Sequence, residues 1–248
     1  MPEIYAEKEI EIVRDAMFEI ISNSDFFIHR LMMADMLEEA DLAKKNLAAS
    51  YRALGAVANL YELNMYKRNN PIGAVKLCEF VKDIVDEVRM KTRRHLAKIE
   101  FIGEDVTVGC NCERLYACVL NMLINALEQV DPDESTVKVY VKNVTGYGVV
   151  IVSDDGYGMK DADFAALTAP DATGGLSVIA RFCEHVGTAP IFETAENNGF
   201  SVAVRIPKCD EIITLNAPKT YLPTGSYSAT NIYLAKIKRL DVKGLLNK

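Results

Sequence analysis

The sequence predicts an α+β protein in which an N-terminal helical hairpin, paired with a second copy as a four-helix bundle, precedes an α/β sandwich. Three observations predict it. Apolar residues recur at helical steps through the first 68 residues. Past Pro71 and Gly73 the pattern changes to short β-like runs alternating with helical stretches. Two segments rich in glycine and aspartate, Asp154-Asp155-Gly156-Tyr157-Gly158-Met159 and Asp171-Ala172-Thr173-Gly174-Gly175, follow a strand-like run and precede a helical one.

In the hairpin, Ile10, Val13, Met17, Ile20, Phe27 and Leu31 form a heptad-like seam with Ser24 in the missing place. A second stripe carries Leu47, Leu54, Val57 and Tyr61. It follows the polar segment Glu38-Glu39-Ala40-Asp41, where Asp41 is a candidate cap for the second helix. The hairpin spans about residues 3 to 68, with Ser22-Asn23-Ser24-Asp25 as a rival break. Two helices cannot cover this much apolar face alone, so a homodimer is expected.

The segment Lys67-Arg68-Asn69-Asn70-Pro71-Ile72-Gly73 marks a domain boundary, because Pro71 disfavours helix at Asn70. The divisions are 1–70 for the hairpin, 71–208 for the sandwich and 209–248 for a C-terminal extension. The sandwich is read as a helix over Val75–Met90, a strand near Lys98–Ile102, a helix over Cys112–Gln129, and strands Thr136–Val144 and Tyr147–Ser153. A helix opens at Gly174-Gly175-Leu176 and runs to about Val186. Strands follow at Pro190–Thr194 and Phe200–Ile206, joined by an Asn197-Asn198-Gly199 turn. The extension is an irregular run ending in a helix over Ile232–Leu246, with Lys236-Ile237-Lys238-Arg239 on a solvated face.

A net charge of −7 supplies no basic field for nucleic acid or an anionic membrane surface. No apolar run approaches the roughly 20 residues of a membrane helix, and no signal-peptide pattern opens the chain, so a cytoplasmic location is expected. Cys78, Cys110, Cys112, Cys118, Cys183 and Cys209 contain no CxxC pair, and only three histidines accompany them, which argues against a zinc site. Reduced, mostly buried thiols are expected.

The chemistry lies in the sandwich. Asn121 and Asn125, four apart on an apolar helix, share one face, where amides can hold a hydrated Mg²⁺ and phosphate oxygens. Asp154 offers a carboxylate to the exocyclic amine of adenine, and Gly156 and Gly158 let the backbone approach the ring. In this order the segments resemble the N box and two glycine boxes of the ATP-binding (GHKL) domain shared by histidine kinases, gyrase-type ATPases, Hsp90 chaperones and MutL proteins. The quoted residues are Asn121-Met122-Leu123-Ile124-Asn125-Ala126-Leu127-Glu128, Asp154 to Met159, and Gly174-Gly175-Leu176-Ser177-Val178-Ile179-Ala180. The resemblance covers roughly residues 71 to 207.

It implies ATP and Mg²⁺ as ligands, with Asn125 on the metal, Asn121 beside it, Asp154 on adenine, and Gly156 and Gly158 in the nucleotide loop. Gly174 and Gly175 would receive phosphates at a helix N-terminus. Hydrolases of the family carry a glutamate where Asn121 stands. An amide cannot take a proton from water at neutral pH, so the kinase branch is favoured over direct hydrolysis. The preceding hairpin points the same way, since histidine kinases place a dimerisation hairpin before this domain and pass phosphate to a response regulator.

The chain departs from that pattern in two places. His29 is the one histidine of the hairpin and the candidate phosphoacceptor, 96 residues before Asn125, but Arg30 follows it instead of an acid. Its place two residues from Phe27 and from Leu31 turns it away from the seam, and the inferred turn follows about ten residues later. His95 and His185 read as structural. The 15 residues between Gly158 and Gly174, with Phe164 as their sole aromatic, are shorter than the kinase lid, which implies weaker or slower use of ATP. The first reading is a histidine kinase. The alternative is a phosphorelay or scaffold protein that docks a response regulator without autophosphorylating. A third, a serine kinase acting as an anti-sigma factor, shares the nucleotide boxes but lacks the hairpin.

Overall fold

The computed structural model describes residues 7–65, 72–92, 97–131, 135–160, 164–165, 169, 172–194, 198–209, 229–234 and 237. The side chains of Ile10 and Tyr61, and the residues His95, Asn197, Lys236, Lys238 and Arg239, to which expectations were attached above, lie outside the described set.

The hairpin consists of α1 (Glu7–Met33) and α2 (Leu37–Met65). Helix α1 runs unbroken through Ser22-Asn23-Ser24-Asp25. The turn falls at Ala34–Met36, five residues after His29 and nearer than the sequence suggested. Its signal is a Schellman arrangement: Met36 N–H donates to the Leu31 carbonyl (3.0 Å) and Asp35 N–H to that of Met32 (3.2 Å). Asp35 adopts the left-handed conformation with φ 59°. Asp41 therefore lies inside α2, 3.3 Å from Lys44, and does not cap it.

The hairpin core is thin. Ile28, Leu47, Tyr51 and Leu54 are buried, with Met17, Ala43, Ala48 and Ala58 against them. Of the expected seam, Leu31 is buried and Met17 half-buried, but Val13, Ile20 and Phe27 are 47%, 53% and 57% exposed. Helix rotation accounts for this: residues 13, 20 and 27 repeat every seven positions along one edge, while Ile28 and Leu31 turn toward α2.

The expected helix over Val75–Met90 divides in two. Gly73–Lys76 form a short strand β1 that pairs antiparallel with β3 (Thr107–Cys110), putting Val75 opposite Val108. Helix α3 (Leu77–Thr92) follows, burying Leu77, Val81, Ile84, Val85 and Val88 on one face. Strand β2 (Lys98–Gly103) lies parallel to β4 (Thr136–Val144). Helix α4 (Cys112–Gln129) comes between β3 and β4 and is capped by Asn111, whose side chain accepts from Arg114 N–H at 3.0 Å.

Strands β4 and β5 (Tyr147–Ser153) form a hairpin turning at Gly146, which has φ +78°. Helix α5 (Gly175–His185) and strands β6 (Ile191–Thr194) and β7 (Phe200–Pro207) complete the layer. The five-stranded sheet has the order β2-β4-β5-β7-β6 and is antiparallel apart from the β2–β4 pair. Val137, Val139 and Val141 of β4 are buried while Lys138 and Lys142 are exposed, so one face of the sheet carries the core under the helices.

The C-terminal region is not merely a solvated appendage. Helix α6 (Ala229–Leu234) starts earlier than the expected Ile232–Leu246 helix and packs among α2, α3 and α4. Thr230 is 0% exposed and lies 2.6 Å, hydroxyl to hydroxyl, from Tyr116 of α4. Tyr233, Leu234 and Ile237 are buried in the same core as the sheet.

Candidate nucleotide site

Helix α4 brings Asn121 and Asn125 to one face, and the first turn of α5 lies directly against them. A Cβ built on Gly175 would meet Asn121 Oδ1 at 2.7 Å and Asn125 Oδ1 at 3.2 Å. Asn121 is 1% exposed, and its Nδ2 donates to the Ala117 carbonyl at 2.9 Å, which turns Oδ1 toward Gly175. Gly174 is the N-cap of α5 and offers no side-chain cap, so the first backbone N–H groups of that helix are directed at whatever lies before it.

The segment after β5 is tied to the other end of α4. Tyr157 N–H donates to the Gln129 carbonyl at 3.1 Å, and a Cβ on Gly156 would fall 2.2 Å from that same oxygen. Only glycine fits this approach. Gln129 lies one turn beyond Asn125, about 6 Å along the helix axis. The aspartate segment and the two amides thus converge on the C-terminal half of α4. Gly158 has φ +62°, which continues the turn past Tyr157.

Asp154 is anchored by its backbone and by one carboxylate oxygen. Its N–H donates to the Phe200 carbonyl at 2.9 Å. Its Oδ1 accepts from Gly156 N–H at 3.0 Å and Phe200 N–H at 3.2 Å. The second oxygen, Oδ2, is buried with no partner among the described residues. Burial pushes the carboxyl up to about 6; the two backbone donors oppose that shift and the neighbouring Asp155 adds to it.

A buried acceptor without a donor is costly in isolation. The exocyclic amine of a purine would satisfy it. Asn125 Oδ1, directed at the first turn of α5, is a neutral oxygen that could join waters and phosphate oxygens around a hydrated Mg²⁺. The residues present therefore fit a magnesium nucleotide: an acceptor for the base, amides for metal and phosphate, and helix N–H groups for the phosphate tail.

The sequence reading did not single out three further contributors. Gly199, at φ +69°, brings the turn before β7 onto Asp154, where a Cβ would stand 2.0 Å from the Asp154 carbonyl oxygen, and its N–H donates to the Gly156 carbonyl at 2.9 Å. Thr194 and the Gln129 carbonyl complete the scaffold. The Asn197-Asn198-Gly199 segment signals a turn, but nothing in it announces contact with a residue 45 positions earlier. Phe164 packs edge-on to Phe192 of β6, ring centroids 5.5 Å apart.

The remaining candidates lie elsewhere. His29 is exposed on α1, within the last two turns of that helix. The neighbouring Arg30 guanidinium stands 5.9 Å over the Phe26 ring. His185 ends α5, its basicity lowered by burial and by the nearby Arg114 charge. All six cysteines are free thiols. Burial pushes Cys110 up to about 12 and Cys183 up to about 11, which removes both from nucleophilic chemistry at neutral pH. Among the described residues no cluster of three or more His, Cys, Asp or Glu side chains forms a metal cage, and no helix is long and apolar enough to cross a membrane.

The α/β sandwich thus sets the two amides of a central helix against a glycine-bearing segment and the uncapped start of a second helix. Residues 110–210 match the family described as histidine kinase-, DNA gyrase B- and HSP90-like ATPases, so this part of the chain is similar to that family. No curated protein matches the chain in sequence.

Among solved structures, the Acinetobacter baumannii histidine kinase AdeS is similar over 74% of this chain and 95% of its own, with TM-score 0.56 and 12% identity. The nucleotide-free catalytic domain of histidine kinase ThkA covers 56% of this chain and 98% of its own, with TM-score 0.51 and 21% identity. Full-length ShkA, crystallised with AMPPNP, covers 80% of this chain and 46% of its own, with TM-score 0.55 and 16% identity. At these identities the likeness is one of fold.

Proposed function

We propose that the chain is a signalling protein of the histidine-kinase type. It binds Mg-ATP between α4, the Asp154 segment and the N-terminus of α5, transfers the γ-phosphoryl group to His29, and passes it on to an aspartate of a response regulator. Asn125 is the magnesium ligand, with Asn121 beside it. Asp154 receives the adenine amine, the glycines at 156 and 158 shape its loop, and Gly174 and Gly175 receive phosphate.

The observation that carries this reading is the convergence on α4 of two amides and a carboxylate with one buried, unpartnered oxygen. No carboxylate occupies position 121, so water lacks the general base that hydrolysis needs, and transfer to a protein side chain is the favoured outcome. Positioning and charge neutralisation supply most of the rate. The exposed heptad edge of Val13, Ile20 and Phe27 supports association of two hairpins into a cytoplasmic homodimer. The working divisions remain 1–70, 71–208 and 209–248, the last returning to both of the others.

A second reading, a docking protein that engages a response regulator without autophosphorylating, is favoured by one observation. Ala58 of α2 joins the hairpin core to the core of the sandwich. It lies 23 residues after Asp35, whereas His29 lies 6 before it, a separation of roughly 25 Å along the hairpin. Incubation with γ-labelled ATP and Mg²⁺ separates the two. Acid-labile label that disappears in His29→Ala supports the kinase, nucleotide binding without label supports the docking protein, and acid-stable label points to serine or threonine.

A further inference from the structure

Thr194 closes strand β6, the edge of the sheet, and its side chain faces inward. Its hydroxyl makes two hydrogen bonds to segments that are distant in sequence. It accepts from the backbone N–H of Met159 at 2.9 Å and donates to the carbonyl of Gly199 at 3.1 Å. A hydroxyl has one proton to give, and this one gives it to the turn while taking the proton of the loop.

Those two segments hold the Asp154 carboxylate. Met159 ends the glycine segment that begins at Asp154, and Gly156 N–H in that segment donates to Oδ1. Gly199 precedes Phe200, whose N–H is the other donor to Oδ1 and whose carbonyl receives Asp154 N–H. Gly199 N–H closes the circuit on the Gly156 carbonyl. Thr194 thus bridges both backbone segments through its hydroxyl without hydrogen-bonding the Asp154 carboxylate itself. With Oδ1 saturated by two fixed donors, Oδ2 is the oxygen presented to a ligand.

We infer that Thr194 is a positioning residue of the nucleotide site: by joining Met159 to Gly199 it fixes the two N–H donors that lock Asp154 Oδ1 and so aims Oδ2 at the base. This deepens the nucleotide reading above and rests on it for its ligand. Removal of the hydroxyl leaves one N–H and one C=O in a half-buried place without their partner, which loosens both segments at once. The carboxylate then swings between its donors, and the geometry offered to the base is lost.

The test uses Thr194→Val, which keeps the shape without the hydroxyl, and Thr194→Ser, which keeps the hydroxyl without the methyl. In the full chain without nucleotide, Thr194→Val should speed amide hydrogen exchange at Gly156, Met159 and Phe200 by tenfold or more while leaving central β7 amides such as Val204 unchanged, and Thr194→Ser should restore protection. Mg-ADP affinity measured by calorimetry should fall at least tenfold in Thr194→Val and stay within about threefold of the parent in Thr194→Ser. Exchange at those three amides that is unaltered in Thr194→Val, or affinity lost equally in both variants, overturns the inference. Should the parent bind no nucleotide, the reading of the site fails, while the exchange measurement still decides what Thr194 does.

Discussion

Replacing Gly175 by alanine separates fold from ligand binding. The new methyl would sit 2.7 Å from Asn121 Oδ1 and 3.2 Å from Asn125 Oδ1, the first of these closer than a real Cβ approaches. The backbone of α5 is held by its packing, so the amides move instead. Turning Asn121 breaks its bond to the Ala117 carbonyl, worth about 1 kcal/mol, and an off-rotamer side chain costs about 0.5–1.5 kcal/mol. Replacing glycine in a helix returns about 0.5–1 kcal/mol, so the net loss of stability is about 0.5–2 kcal/mol. Mg-nucleotide affinity should fall roughly 10- to 100-fold, the loss typical of displaced groups around a metal site. Chemical denaturation and calorimetry with Mg-ADP read the two effects separately. Gly174→Ala provides the steric control, since its Cβ would meet nothing within 4 Å and its cost is confined to the lost N-cap preference of glycine, about 1 kcal/mol or less. A folded Gly175→Ala protein that binds Mg-ADP as tightly as the parent would refute the assignment of the amides.

Acid should act on Asp154 in two opposite directions. Nucleotide affinity should decline as pH falls through about 6, because the protonated carboxyl no longer accepts at Oδ2, and Asp154→Asn should bind weakly without that dependence. The ligand-free fold should gain the Asp154 contribution over the same descent, since the folded carboxyl holds its proton more tightly than the unfolded one; urea titrations at pH 5 and 7 on parent and Asp154→Asn check the sign. Asp35→Gly should stabilise the hairpin turn by about 0.5–1 kcal/mol, because glycine adopts φ 59° without a Cβ penalty, and calorimetric melting should show a rise of about 1–4 °C. Tyr116→Phe removes the 2.6 Å bond to Thr230 and should cost about 1–2 kcal/mol, with the Tyr116→Phe, Thr230→Val double variant less than additive.

The elements around the site were legible because their signals are local. Helix α4 and strands β4 and β5 fall where periodicity and the Gly146 turn put them. The paired amides and the Asp154-Gly156-Gly158 segment stood out by their spacing and by their resemblance to nucleotide-binding boxes, and the fold brings both segments onto α4. What escaped was set by tertiary contact. The four residues of β1 are too few to display a two-residue period, so Val75 passed for the start of a helix until its pairing with Val108 was seen. Phe27 fits the heptad-like seam in sequence, yet in α1 it is Ile28 that turns inward onto α2 in its place. The hairpin turn is hard to place from sequence because its position bears no glycine, only Asp35 in a left-handed conformation that its neighbours in sequence do not reveal. Thr194 and Gly199 act through backbone atoms of residues 35 to 45 positions away, a relation that no one-dimensional pattern carries.

The seating of Thr230, Tyr233, Leu234 and Ile237 has a consequence for how the chain is made. A ribosome that has completed β7 at Pro207 has synthesised every strand of the sheet, yet the residues that cover the outer sides of α3 and α4 are still to be joined. Thirty more residues must follow before Ile237 is available, roughly 2–6 s of translation at ordinary rates. During that interval the nascent polypeptide presents Tyr116 and its surroundings to whatever chaperone stands at the exit port. A message truncated after Pro207 would leave that side of α4 permanently bare and mark the product for proteolysis.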